Sequence, residues 1–146
     1  MLNFNSNDNH FVRDFSIILF VALISYLVDV KKNKDLYKNC ENTLIFRAVL
    51  LFHHFIWTFA LFAVISCNRQ LLKIYVVIVI IYLAHWQLNN DKCFITEWSK
   101  QYCKLGNDHI LQYFTETVLN SKPIDRKSQK YTLLLSLVIA LIKINN

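Results

Sequence analysis

From Ala48 to Cys67 the chain reads AVLLFHHFIWTFALFAVISC, a run of 20 residues with no formal charge, bounded by Arg47 and Arg69. As an α-helix rising about 1.5 Å per residue, such a run spans about 30 Å, the hydrocarbon thickness of a bilayer. It therefore predicts a membrane-crossing helix. Three shorter apolar runs accompany it: Phe15 to Val28, Leu71 to Leu88 and Tyr131 to Ile144. Their flanks support the same reading. Arg13, Asp14, Lys73 and Lys143 stand at the ends, where basic stems snorkel to headgroups, and Tyr26, Tyr75, Tyr82, Trp86 and Tyr131 stand where interfacial aromatics belong.

None of the runs carries the polar stripe that a helix on the surface of a soluble domain shows. The IYVVIVIIY stretch is β-branched enough for a buried strand, but a lone spanning segment in lipid must satisfy its own backbone, so it is read as helix. With 55% hydrophobic residues, one Gly and one Pro, the composition excludes a collagenous or disordered chain. The expected fold is all-α: a single membrane domain over residues 1–146, an integral membrane four-helix bundle with spans at about 15–30, 46–67, 71–88 and 131–144. No small-x-small cleavage site follows the first apolar run, so that helix is expected to remain as a signal anchor. Gly106 and Pro123 both fall between spans 3 and 4. The spans then lack intrinsic kinks, and their contacts are expected to rely on bulky side chains rather than a Gly-x-x-x-Gly seam.

Four spans place both ends of the chain on one side. Arg13, Arg69, Lys73 and Lys143 lie on that side, whereas the other twelve Lys and Arg residues lie in the 29–43 and 89–130 connections and their borders. The positive-inside rule puts those connections in the cytoplasm and both termini in the lumen or outside. The net charge of +6 then faces the bilayer's anionic lipid headgroups. No nucleic-acid motif is present, and no nucleic-acid partner is expected. Short spans suit a thin internal membrane such as the endoplasmic reticulum. Within the long connection, residues 91–120 predict two short amphipathic interfacial helices. The first carries Phe94, Trp98, Tyr102 and Leu105, capped by Asn90 or Asp91 and stopped by Gly106-Asn107; the second carries Ile110, Phe114 and Val118 behind Asp108.

Ionisable groups inside a membrane are costly and mark the place to look for function. His53 and His54 lie near the start of the second span and His85 near the end of the third, which antiparallel packing brings to one depth. Arg47 shares a helix face with His54, Trp57 follows His53 by one turn, and Cys93 and Glu97 can fold over the same end. The candidate binding cluster is thus Arg47, His53, His54, His85, Cys93 and Glu97. Three chemistries compete. The histidines are interhelical hydrogen-bonding glue; or His53 or His54, whichever of the adjacent pair faces inward, ligates haem or a metal with His85, His54 and His85 being the candidates; or Arg47 and the histidines hold a lipid headgroup, with His as acid or base. A channel lined by Ser25, Thr58, Ser66 and the histidines is a further alternative. No His-box or nucleophile motif assigns a catalytic residue. The leading expectation is a non-enzymatic membrane, envelope or scaffold component, with a second copy or another membrane protein as partner; the alternative is a His/Arg-dependent membrane enzyme or a haem, metal or headgroup binder.

Cys40, Cys67, Cys93 and Cys103 form no Cys-x-x-Cys pair, and Cys40, Cys93 and Cys103 fall on the side read as reducing. After His85-Trp86, the segment Cys93-Phe94-Ile95-Thr96 followed by Glu97 resembles a family of small uncharacterised multi-span membrane proteins, in which a transmembrane helix ends in a Cys-Pro-Leu-Thr motif followed by an acidic residue. Phe94 and Ile95 depart from that motif. The resemblance implies the same helical fold and emphasis on His53, His54, His85 and Cys93; it implies no activity.

Overall fold

The computed structural model describes residues 6–40, 43–104 and 125–146, and among these every regular element is helical. The helices are α1 (Ser6–Lys32), α2 (Thr43–Phe62), α3 (Arg69–Leu88), α4 (Phe94–Tyr102) and α5 (Arg126–Asn145). A 3-10 turn, Leu36–Asn39, leads towards α2, and another, Ala63–Ile65, closes it. Three stretches are long and apolar enough to cross a membrane: His10–Lys32, Leu44–Ile65 and Arg69–Leu88. The β-branched third run is helical, as its context predicts. Asn68 starts it, its side-chain carbonyl accepting from the Leu71 N–H at 3.0 Å. The fourth expected span is also a helix of 20 residues, but its RKSQK opening and Lys143 leave it less apolar than the other three.

Some boundaries move. The first helix starts well before residue 15, and the second stops being α-helical at Phe62 rather than continuing to Cys67. Lys143 explains how that end is satisfied. Its Nζ donates to the carbonyls of Val64, Ile65 and Ser66 at 3.0, 3.1 and 2.9 Å, meeting acceptors that the end of a helix leaves unpaired. Lys143 is therefore a capping residue rather than a snorkelling one.

α1 packs chiefly on α2, and α3 on α5. The α1 seam is Ile18, Ala22, Ser25 and Asp29, all buried at helical spacing. Small residues line this seam and recur at Ala60, Ala63 and Ala140, against the expectation of bulky contacts; short side chains let backbones approach where lipid supplies no hydrophobic drive between helices. The α3–α5 pair is fastened at several points. Lys130 Nζ donates to Gln87 Oε1 and Asp91 Oδ1 at 3.1 and 2.7 Å at one end, Tyr75 and Ser136 share a hydroxyl hydrogen bond midway, and Lys143 ties the other end of α5 to the turn between α2 and α3. Tyr75 and Trp86, read from sequence as interfacial, are core residues; Trp86 packs against Trp57 and Tyr82 at ring separations of 6.0 and 4.8 Å.

Of the two amphipathic helices, the first is α4, and the second falls outside the described residues. α4 differs from its sequence reading. Asn90 and Asp91 take left-handed turns, with φ of 51° and 58°, and Cys93 is the N-cap; Lys104, at φ 51°, leaves the helix before Gly106 is reached. Its most deeply buried residues are not the aromatic ones, since Trp98 and Tyr102 are only partly buried against the cluster around Phe46 and Leu50. Thr96, Ser99 and Cys103 turn inward, while Phe94 is 62% exposed. Thin side chains on that face bring α4 close to the α1–α2 connection, where Cys103 is disulfide-bonded to Cys40 with their Cα atoms 4.0 Å apart. The bond closes a loop of 63 residues in sequence separation, and its loss is expected to cost about 2–4 kcal/mol. Thermal unfolding in detergent should therefore show Cys103→Ser melting below the native chain, with reductant lowering the native chain to the variant's midpoint and leaving the variant unmoved.

Candidate functional site

The most concentrated polar structure in the molecule is at the α1–α2 contact. Ser25, Asp29, Asn33 and Tyr37 recur every four residues, which keeps the first three on one face as α1 runs out and carries Tyr37 into the turn beyond. Asp29 is 0% exposed, Ser25 0% and His54 of α2 1%. His54 Nε2 lies 3.0 Å from Asp29 Oδ2, and His54 Nδ1 lies 2.7 Å from Ser25 Oγ. The Tyr37 hydroxyl reaches both Asp29 oxygens at 3.1 Å, and Asn33 Nδ2 donates to Oδ1 at 2.5 Å.

Donor logic orders the protons. An amide N–H and a phenol both donate to Asp29, so the carboxylate acts as acceptor; His54 then carries its hydrogen on Nε2, and Nδ1 accepts from the Ser25 hydroxyl. Every polar atom of Asp29 and His54 is engaged. A carboxylate beside the C-terminal end of a helix faces an unfavourable dipole, and these donors offset it. Burial, followed by the Asp29 charge, raises the Tyr37 phenol above its ordinary 10.0. A raised folded pKa means that the contribution to stability is complete below pH 10 and is lost only as pH climbs through the higher folded value.

Serine, histidine and aspartate in this order have the hydrogen-bonding sequence of an acyl-transfer triad. The geometry does not serve one. Ser25 Oγ has no surface open to a substrate, and Ser25 and Asp29 belong to one helix turn gripping the same imidazole. The network's chemistry is that of an interhelical lock.

The six residues proposed from sequence separate into different environments. Both His53 and His54 are buried, although two adjacent histidines point about 100° apart and only one was expected to face inward. α2 is flanked by α1, α3 and α4, so both directions are covered; the two rings meet edge to face at 5.9 Å. Trp57 packs on Tyr82 at 5.6 Å, which sets that part of α2 level with the end of α3, yet His85 turns towards α4. There His85 Nε2 accepts the Phe94 N–H at 3.2 Å, supplying the cap bond that the Cys93 side chain does not make. Cys93 is a buried free thiol that accepts from the Tyr82 hydroxyl at 3.7 Å. With His85, Phe52, Ile81 and Phe94 it borders an apolar groove of 590 Å³ between α2, α3 and α4. Glu97 pairs with Lys100 on its own helix at 3.1 Å.

Arg47 is exposed. Seven residues before His54, it stands about 10 Å further along the α2 axis, whereas α1 continues only about 4.5 Å past Asp29, so Arg47 lies over the turn rather than against α1. Among the described residues no three His, Cys, Asp or Glu side chains gather as a metal would require. Ser25, Thr58 and Ser66 are all buried, and Ser66 spans two elements by donating to Asp14 Oδ2 at 2.6 Å and accepting from the Asn68 N–H at 3.0 Å. Sequence reasoning passed over Asp29, Asn33 and Tyr37. The signal for them is a carboxylate set between Val28 and Val30, four residues after a serine and four before an asparagine.

No protein-family model, curated protein or solved structure gives a significant match to the chain.

Removing one partner of a buried hydrogen-bonded pair leaves the other unsatisfied and costs about 1–3 kcal/mol, more where the group left is charged, whereas replacing both by apolar groups is often close to neutral. In detergent, His54→Leu should therefore melt well below the native chain, and the double variant Asp29→Leu/His54→Leu should recover much of the loss. A double variant less stable than His54→Leu would show that the pair acts otherwise than as a lock.

Proposed function

We propose that this chain is a non-catalytic, four-span integral membrane protein, a structural or scaffolding component of its membrane. One observation supports this above others: the outward faces of the long helices are apolar, while the polar groups Ser25, Asp29, His53 and His54 are sealed inside. Ile17, Phe20 and Leu27 of α1, Phe52 of α2 and Val77, Ile80 and Ile81 of α3 are exposed, and so are Leu134, Leu135, Val138, Ile139 and Ile142 of α5. Large exposed apolar belts are what lipid, rather than water, tolerates. The belt on α5 is the reason for counting it as the fourth span.

Orientation sets two considerations against each other. Charge bias favours a cytoplasmic location for the face formed by the α1–α2 connection and α4. The Cys40–Cys103 disulfide on that face favours an oxidising compartment, because such bonds are rare in reducing cytosol. We give the covalent bond more weight than the statistical bias, and place that face in the lumen, as of the endoplasmic reticulum, or outside. The Arg13–Arg69 end, with the exposed thiol of Cys67, then faces the cytosol.

Two measurements check these statements. The protein should stay in the membrane pellet after alkaline carbonate extraction; release into the supernatant would remove the membrane reading. On sealed membrane vesicles with the cytosolic face outward, an impermeant maleimide should label Cys67 without reductant and leave Cys40 and Cys103 unlabelled. Cys40 and Cys103 should react only after the vesicles are both opened and reduced, and their labelling in sealed vesicles would restore the charge-based orientation.

A further inference from the structure

Where the α1–α2 pair ends, a cleft of 250 Å³ is lined by Val30, Lys34, Tyr37, Lys38, Phe46 and Arg47. Three cations reach it from separate elements: Lys34 from the turn after α1, Lys38 from the 3-10 turn and Arg47 from α2. Its floor is aromatic. The Tyr37 and Phe46 rings are buried 4.9 Å apart, with the Tyr37 hydroxyl turned away to Asp29. Lys38 is paired with Asp35 at 2.6 Å, but Lys34 and Arg47 make no ion pair among the described residues. Asp29 beneath the floor is already met by Asn33, Tyr37 and His54, so its charge is compensated before it reaches the cleft.

The depth of the cleft suggests a ligand. Three residues further into α1 than Val30, on the same face and towards the middle of the span, Leu27 is 55% exposed, so apolar surface suited to acyl chains runs inward from the cationic opening. That is headgroup level. An Arg guanidinium offers a planar donor pair matched to phosphate oxygens, and Lys34 adds a mobile point charge.

We propose that the cleft of Lys34, Lys38 and Arg47 binds the phosphate of an anionic lipid headgroup, whose chains run inward past Leu27. The proposal rests on the membrane-protein reading and holds for either orientation. It is more specific than a general basic flank, because it assigns the affinity to this cleft and to a phosphate group.

The test uses native mass spectrometry of the full chain, released from detergent containing equal amounts of dioleoyl phosphatidic acid and dioleoyl phosphatidylcholine. One phosphatidic acid should be retained in preference. Each cation near a membrane surface contributes about a fivefold gain for anionic lipid, so Lys34→Gln/Arg47→Gln should reduce the preference roughly 25-fold. Lys92→Gln/Lys127→Gln removes the same charge from exposed positions outside the cleft and should leave the preference intact; Arg47→Lys should retain part of it. Equal retention of the two lipids by the native chain would overturn the proposal, as would a preference that survives in Lys34→Gln/Arg47→Gln or falls equally in the Lys92/Lys127 control. Inorganic phosphate at millimolar concentration should fail to displace the lipid, and full displacement would assign the cleft to free phosphate instead. Carbonate extraction of the same variants keeps failure of this site distinct from failure of membrane insertion.

Discussion

A carboxylate buried between apolar helices must be met by donors or it destabilises the fold, and much of this molecule's organisation at one end follows from Asp29. Its needs are met by Asn33 just past the end of its own helix, by Tyr37 from the connection and by His54 from the next helix. Each donor fixes an element. His54 sets the register of α2 against α1. Tyr37 folds the connection back over the pair and lays its ring on Phe46, which leaves Cys40 where Cys103 of α4 can reach it. A polar requirement at one atom pair is thereby transmitted to a turn, a helix and a covalent bond.

The other half of the bundle is organised by cations rather than by a carboxylate. Lys130 ties one end of α5 to the end of α3, Lys143 ties its other end to the turn between α2 and α3, and the Tyr75–Ser136 hydroxyl contact fixes the middle of the pair. In a bilayer this division has a physical basis: apolar side chains gain little by leaving lipid for a helix contact, so register depends on packing and on polar contacts at chosen points. The outward faces are free to be bulky and apolar. The inward seam of α1 is small and polar instead, with Ala22, Ser25 and Asp29 following Ile18.

The apolar runs were legible in sequence, and all four occur in helices, because backbone self-satisfaction in lipid leaves few alternatives for an uninterrupted apolar segment. The site was legible only in part. Depth along a span can be counted from sequence, and Trp57 does meet Tyr82 and Trp86 at the end of α3. Azimuth could not be counted in the same way, and it separates His54, facing α1, from His85, facing α4. Interfacial aromatics and core aromatics also look alike in a linear pattern; Tyr75 and Trp86 became core because α3 has neighbours on that side.

By itself the sequence determined the helical class and the approximate positions of the long helices, since these depend on hydropathy and spacing along one dimension. Tertiary structure alone decided that Asp29 and His54 form a closed lock, that His85 caps α4, that Cys40 meets Cys103 and that Lys34, Lys38 and Arg47 share a cleft. Each of these joins separate elements, and which faces meet is set by the rotation of each helix about its own axis. That rotation is chosen by the packing of all the helices together, and no local run of residues encodes it.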